Sequence, residues 1–497
     1  MTDFRVAIVG TGFSGLGMGA RLKREGIDDF VVLERNDEVG GTWWDNTYPG
    51  CQCDVPSHLY SFSFAPNPNW SRTYSFQPEI RDYLRDVARR FGLMPHIRFG
   101  CSLTSAAWDE EASVWRLETS QGELTARVLV PAVGPLSEPA MPKLPGLDRF
   151  EGKLFHSARW DHEHDLSGER VGVIGTGASA IQFVPKIQPK VGRLHVFQRT
   201  PPWVLPHSDR PVTRLERRLY RAFPRLQRLV RLGIYVSREW LVIAFSHRRR
   251  LMKLPEALAR RHLRRQVRDP GLRSKLTPSY TIGCKRILLS NDWYPTLTRP
   301  NVEVVTDGIS EVRESSIVTA SGEEIELDTI VLGTGFRVTD FPAADQLIGR
   351  DGRTLNEVWQ GSPQAYLGTS IAGFPNLFML LGPNTGLGHN SMVYMIESQI
   401  AHVIRSVRAM EERRVQELEV REEIQRAFND ELQRELAGSV WNAGGCKSWY
   451  IDRTGRNTTI WPRFTWQFRR RAVNFRPDDY EFRSRVPAPE PARVPVP

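Results

Sequence analysis

The chain has 497 residues, 40% hydrophobic and 25% charged, with a net charge of +10 and five cysteines. That length suits two to four domains with a sizeable core, and no run of about 18 apolar residues is present to cross a membrane. The thinly spread cysteines point to a reducing compartment rather than a disulfide scaffold, and the opening MTDFRVAIVG enters a strand at once instead of an apolar leader. A cytoplasmic protein without a metal-ligand cluster is expected.

The first segment, RVAIVGTGFSGLGMGARL, reads as a short apolar strand, then Gly10-x-Gly12-x-x-Gly15, then a helix rich in small residues that Ser14 helps to open. In a dinucleotide fold the first glycine permits the tight turn and the second lets backbone approach a pyrophosphate. The third lets helix pack on strand, and the helix N-terminus faces the phosphates. The next strand, FVVLERN, ends in Glu34 about 20 residues on, where an acid binds a ribose hydroxyl.

A second loop, RVGVIGTGASAIQFV, repeats the pattern with Gly175, Gly177, Ser179 and Ala180, alanine being an accepted third residue. The strand after it, RLHVFQRTP, offers Gln198, Arg199 and Thr200 where an NAD site wants an acid. Arginine there suits a 2′-phosphate, so NADPH is expected; an ordinary surface ion pair is the alternative for Arg199. Two such folds in one chain suggest FAD first and NADPH second. A later strand, LDTIVLGTGFRVTD, with Asp328 before it and Gly333-Thr334-Gly335 after it, is of the kind that returns a chain to a flavin domain. The expected fold is α/β: two doubly wound Rossmann-like domains, FAD over 1–145 plus 380–497 and NADPH over 146–379. A basic helical insertion spans 210–276.

Within that insertion, Thr213 to Lys275 holds 19 Lys/Arg against 4 Asp/Glu. Leu215, Leu219, Phe223, Leu226, Leu229 and Val230 fall at helical spacing with arginines between them, as in surface helices. No nucleic-acid motif accompanies the charge, so no nucleic acid is expected as partner. A flavoprotein docking on membrane or nucleic acid through this block is the alternative from another class.

The residues after Glu34 separate the flavoprotein chemistries. A disulfide reductase places a redox cysteine pair directly after Gly40-Gly41-Thr42; here Trp43 stands in that place. Cys51 and Cys53, one residue apart, are poorly placed to pair with each other. They read as packing residues.

The segment between the two glycine loops, FEGKLFHSARWD, fits F-x-G-x-x-x-H-x-x-x-W-[P/D] at Phe150, Gly152, His156, Trp160 and Asp161. A second pattern, G-G-x-W-x-x-x-x-[F/Y]-P-G-x-x-x-D, is met from Gly40 through Trp43, Tyr48, Pro49 and Gly50 to Asp54. On these motifs, and on PNWSRTYSFQPEIRDYL, GCKRILLS and GTGF, the chain resembles the type I Baeyer–Villiger monooxygenases of the flavin-containing monooxygenase superfamily, nearly end to end. The resemblance implies an FAD enzyme that NADPH reduces and that traps O2 as a C4a-peroxyflavin. Attack on a ketone then gives a tetrahedral adduct and an ester or lactone.

It implies Arg286 as the catalytic cation and Asp54 as the acid that holds it. Lys285, Arg199 and Thr200 would sit on the 2′-phosphate, Thr42, Trp43 and Tyr60 by the flavin, and Gln52 to Asp54 near the nicotinamide. Met392 and Trp449 would be pocket or cofactor contacts. The 150–161 segment would be a hinge, with His156 a hydrogen-bonding element and Trp160 an anchor. LGPNTGLGHNSM differs from the version familiar in cyclic-ketone enzymes, so a small cyclic ketone is not assumed. An N- or S-oxygenating relative is the alternative activity, and a monomer or small homo-oligomer the expected assembly.

Overall fold

The computed structural model describes residues 2–341 and 343–484. The strands Phe4–Val9 and Phe30–Leu33 are apolar runs, buried along nearly their whole length, as strands covered on both faces must be. They pair in parallel, Val6 opposite Phe30 and Val9 opposite Leu33, inside a seven-stranded sheet. In spatial order that sheet runs Leu347–Ile348, Leu103–Asp109, Val114–Thr119, Gly122–Pro131, Phe4–Val9, Phe30–Leu33, Ile97–Arg98. The second sheet has five strands, all parallel, in the order Val302–Val305, Arg193–Phe197, Arg170–Ile174, Thr329–Leu332, Lys153–His156. Both are α/β layers of the expected kind.

Helix Phe13–Arg24 covers the first sheet, and the long helix Met392–Glu412 lies directly against it. The contact is close because position 17 is glycine: a Cβ there would come within 2.8 Å of Phe62 and 2.9 Å of Ile400. The chain rejoins this sheet earlier than the expected boundary at 380. Leu347 and Ile348 pair with Ala106 and Ala107, and the Phe378 backbone N–H donates to the Leu129 carbonyl at 2.9 Å. The strand Thr329–Leu332 completes the second sheet, not the first. A glycine-rich strand motif read alone does not say which of two similar sheets it enters. Residues 485–497, part of the expected flavin range, lie outside the described residues.

The expected helical block is present as Arg214–Ala222, Pro224–Glu239, Lys253–Gln266 and Pro270–Lys275, with short helical turns between the second and third. Thr213 caps the first: its hydroxyl accepts from the Glu216 N–H and the Glu216 carboxylate accepts from the Thr213 N–H.

The cysteines depart from the all-thiol expectation. Cys51, Cys53 and Cys101 are free and buried, but Cys284 is joined to Cys446 in a disulfide, their Cα atoms 6.2 Å apart. A count of cysteines carries no information on pairs that the fold brings together from 162 residues apart. The bridge ties the segment before Lys285-Arg286 to the loop before Trp449. We expect Cys446→Ser to lower the unfolding free energy by about 2–4 kcal/mol in denaturant titrations. A thiol reductant should cause the same fall in the parent and none in the variant.

Candidate active site

The two glycine turns lie at the C-terminal ends of the strands Phe4–Val9 and Arg170–Ile174, where open α/β sheets bind ligands. Gly10 and Gly175 have φ of 103° and 112°, which L side chains rarely adopt. A Cβ at Gly15 would stand 1.8 Å from the Gly10 carbonyl oxygen, so this glycine sets the helix against the turn. Ala180 takes the corresponding place in the second loop and is fully buried. Gly12 and Gly177 are different. A Cβ at Gly12 would meet nothing closer than the Gly41 Cα at 3.8 Å, and one at Gly177 would meet nothing within 4 Å. The space they leave belongs to a single cavity of about 2140 Å³ that also reaches Gly10, Gly175, Ser14 and Ser179.

On the first-sheet side this cavity is lined by Glu34, Thr42, Trp43 and Tyr60. Glu34 is buried. Its carboxylate accepts from the Thr11 N–H (2.9 Å) and hydroxyl and from the Asn36 N–H (2.9 Å), which fixes an acid at the strand end. The Trp43 indole N–H donates to the Tyr60 hydroxyl at 3.1 Å, and burial pushes that phenol far above its ordinary pKa, so it stays protonated.

Where the two halves meet, Arg286 and Asp54 form an ion pair. Nε and Nη2 of Arg286 both donate to Asp54 Oδ2, at 2.9 and 2.7 Å, and Nη1 donates to the Leu387 carbonyl at 3.0 Å. The pair is packed round by protein yet faces the cavity, with 29% and 34% of the two side chains exposed. The Asp54 charge raises the guanidinium pKa further above its ordinary value, burial notwithstanding, so Arg286 is a permanent cation.

Gln52 lies beside them. Its side-chain amide donates to Asp209 Oδ2 (2.9 Å) and the Tyr74 carbonyl (2.8 Å), and its backbone exchanges hydrogen bonds with the Gln182 side chain. The Tyr48 hydroxyl also donates to the Gln182 carbonyl oxygen, at 3.0 Å. Gln182 and Asp209 escaped the sequence reading. Gln182 had a signal, since it sits in the helix that follows the second glycine loop; Asp209 had none.

On the second-sheet side Arg199, Thr200 and Lys285 line the same cavity. Lys285 is held below the ordinary lysine value, first by burial and then by repulsion from Arg199. Among the described residues no ion pair of Arg199 is found, and its side chain borders the cavity. Two cations set to repel each other across a cleft favour an anion between them.

The 150–161 segment divides. His156 lines the cavity; Phe150, Gly152, Trp160 and Asp161 do not. Phe150 is buried in a small core, and a Cβ at Gly152 would come within 2.4 Å of the Asp328 carbonyl. Trp160 packs on Phe155 and on Phe183, at 5.1 and 5.3 Å between ring centres, and Asp161 pairs with Lys153 at 2.5 Å. Met392 and Trp449 both stand at the cavity wall, Trp449 45% exposed and Met392 half-buried with its other side packed on a small core.

Residues 7–240 match a family model described as pyridine nucleotide-disulphide oxidoreductase. That match covers both glycine loops, while Trp43 still occupies the place of the redox cysteine. A Baeyer–Villiger monooxygenase of Streptomyces coelicolor is 54% identical over 99% of this chain and 94% of its own length. One of Pseudomonas aeruginosa is 53% identical over 94% of this chain and 89% of its own. The chain belongs to the Baeyer–Villiger monooxygenases. Among solved structures, NADP+-bound cyclohexanone monooxygenase of Rhodococcus is 30% identical with a TM-score of 0.85, covering 97% of this chain and all of that one. An NADP-bound steroid monooxygenase is 33% identical with a TM-score of 0.84, again over 97% of this chain and all of its own. The fold is thus that of a flavoprotein monooxygenase of this family, and no described helix is long and apolar enough to cross a membrane.

In this Baeyer–Villiger monooxygenase His156 is neutral at working pH. Its Nδ1 accepts from the Ala158 N–H at 3.0 Å, and burial lowers its pKa from 6.5 to about 4. His58 and His402 are lowered to about 4 for the same reason. The unfolded chain binds these protons first, so their contribution to stability is complete above pH 6.5 and is lost as pH falls towards 4. Thermal midpoints measured over that interval should fall with pH, and His402→Gln should flatten the slope.

Proposed function

We propose that this chain is an FAD-containing, NADPH- and O2-dependent monooxygenase that converts ketones to esters or lactones, with Arg286 as its catalytic cation. The observation carrying this reading is a guanidinium fixed by Asp54 and the Leu387 carbonyl at the point where both glycine loops open on one cavity. Ketone, O2, NADPH and a proton give ester, NADP+ and water. Bound FAD would supply reducing electrons to oxygen; everything below concerns the chain itself.

The open space at Gly12 and Gly177 fits two dinucleotides, their pyrophosphates against the N-termini of helices Phe13–Arg24 and Ala180–Ile187, beside Ser14 and Ser179. Glu34 suits a ribose hydroxyl. Arg199, Thr200 and Lys285 suit a 2′-phosphate, whose charge would relieve the repulsion that depresses Lys285. Thr42, Trp43 and Tyr60 would hold the flavin side, Gln52 and Asp54 the nicotinamide side, and Met392 and Trp449 the outer wall.

With Nε and one N–H of Nη2 committed to Asp54, and one N–H of Nη1 to Leu387, each terminal nitrogen keeps one N–H to donate into the cavity. Those two donors would stabilise the oxyanion that forms when the ketone carbon becomes tetrahedral. Asp54 sets the plane of the fork, and the buried side chains of Tyr450 and Cys53 stand near it at the cavity wall. His156, uncharged, would serve orientation and not proton transfer, and the 150–161 segment would be the hinge between the halves. The proposal includes a monomer or small homo-oligomer; the cytoplasmic setting loses its cysteine argument to the Cys284–Cys446 bridge.

A ketone panel with NADPH and O2 tests the reaction. Ester, formed one for one with NADPH consumed, is the expected product; sulfoxides or hydroxylamines alone, from soft sulfur or nitrogen substrates, would mean the sibling activity. For the coenzyme, Arg199→Ala is expected to raise KM for NADPH about 10–100-fold and leave KM for NADH nearly unchanged, as fits loss of one charge-assisted hydrogen bond. Equal effects on both coenzymes would remove Arg199 from the 2′-phosphate.

A further inference from the structure

Within the basic helical block, helix Pro224–Glu239 does not fold as an ordinary surface helix. Such a helix turns its apolar stripe inward; here the stripe is outside. Of the seventeen large hydrophobic side chains that stand exposed among the described residues, eleven fall between Leu215 and Leu258. On helix Pro224–Glu239 and the residue after it, Leu226, Leu229, Leu232, Val236 and Trp240 share one face, and Leu229 and Trp240 are 64% and 63% exposed.

The opposite face of the same helix points into the protein and is mainly polar, with half-buried Ile234 and Tyr235 packed on the core. Gln227 donates to the Asn67 carbonyl at 2.7 Å and Arg231 to the His58 and Ser61 carbonyls at 2.8 Å each. Buried Glu239 accepts from Asn390 (2.6 Å) and from the Thr465 N–H and hydroxyl. The helix is therefore pinned by its hydrogen bonds with its leucines in water. No residue between 203 and 279 lines the large cavity, so the stripe is not a wall of the active site.

Charge decides what covers it. All but two of the nineteen cations between Thr213 and Lys275 are arginine, and exposed Arg218, Arg221, Arg225 and Arg228 stand at the near end of the stripe. A second copy of the chain would bring an equally basic face against this one, which is repulsive. Nucleic acid would take the arginines but offers nothing to a face of leucine, valine and tryptophan. An anionic bilayer surface meets both demands, since the apolar ridge enters the acyl boundary while arginines stay at the phosphates, their stems lying along the ridge.

We propose that this face docks the enzyme reversibly on anionic lipid, through Leu226, Leu229, Leu232, Val236 and Trp240 flanked by Arg221, Arg225 and Arg228. The docking is separate from the oxygenation reaction and stands or falls without it.

The test is sedimentation of the full-length holoenzyme with phosphatidylcholine vesicles, with and without phosphatidylglycerol, at low and raised salt. The protein is expected to sediment with the mixed vesicles far more than with phosphatidylcholine alone, and to leave them as salt rises. Arg225→Gln/Arg228→Gln should weaken partitioning roughly thirtyfold, and Leu229→Glu/Val236→Glu at least about tenfold. Unchanged thermal midpoints and unchanged oxidation of a dissolved ketone would show that both variants fold.

Three results overturn the proposal. The parent stays in solution with mixed vesicles at low salt; or both variants bind as the parent does; or Leu229→Glu/Val236→Glu splits a dimer of a parent that ignores vesicles, making the face a subunit interface.

Discussion

The arrangement depends on one ion pair. Arg286 and Asp54 are 232 residues apart in the chain, and the loops that carry them follow different parts of the fold. Neither sheet alone builds the site. Burying a carboxylate or a guanidinium singly costs several kcal/mol, whereas the two together, with the Leu387 carbonyl on the remaining edge, are each satisfied. The same packing that makes the pair stable also keeps Arg286 at the cavity wall.

Around this pair the two halves are stitched by polar contacts. Gln182, on the helix after the second glycine loop, holds the Gln52 backbone and the Tyr48 hydroxyl from the first half. Two residues away in that helix's sequence lies Ala180, and Phe183 beside Gln182 receives Trp160. The segment between the halves thus bears on the helix that contacts the cavity, while its Gly152 lets it run tight under Asp328. The disulfide adds a covalent tie on the other side, from Cys284 to the loop that leads into Trp449 and Tyr450.

Much of this was legible in the sequence, for physical reasons that differ by residue. Gly10, Gly15 and Gly175 are demanded by backbone geometry, so their spacing alone announces the turn. Arg286 and Asp54 were legible through motifs, since nothing local about either residue says they meet. Gln182, Asp209 and the Leu387 carbonyl act through tertiary contacts or backbone atoms, which leave little trace in residue type. The helical block was read correctly as helical, but as ordinary surface helices, which Pro224–Glu239 is not. Periodicity reports that a helix has two faces; which one turns inward depends on what Gln227, Arg231 and Glu239 find across the interface. The Cys284–Cys446 bridge escaped for the same reason.

In the proposed mechanism the fixed guanidinium carries oxygen transfer, while coenzyme oxidation rests on other residues. The most direct measurement is the amount of ester formed per NADPH oxidised by Arg286→Ala, with hydrogen peroxide assayed alongside. The account predicts that NADPH is still consumed while ester falls by about two orders of magnitude, the scale of losing a main oxyanion donor, and hydrogen peroxide takes its place. Ester formed by the variant at the parent's ratio to NADPH would contradict it.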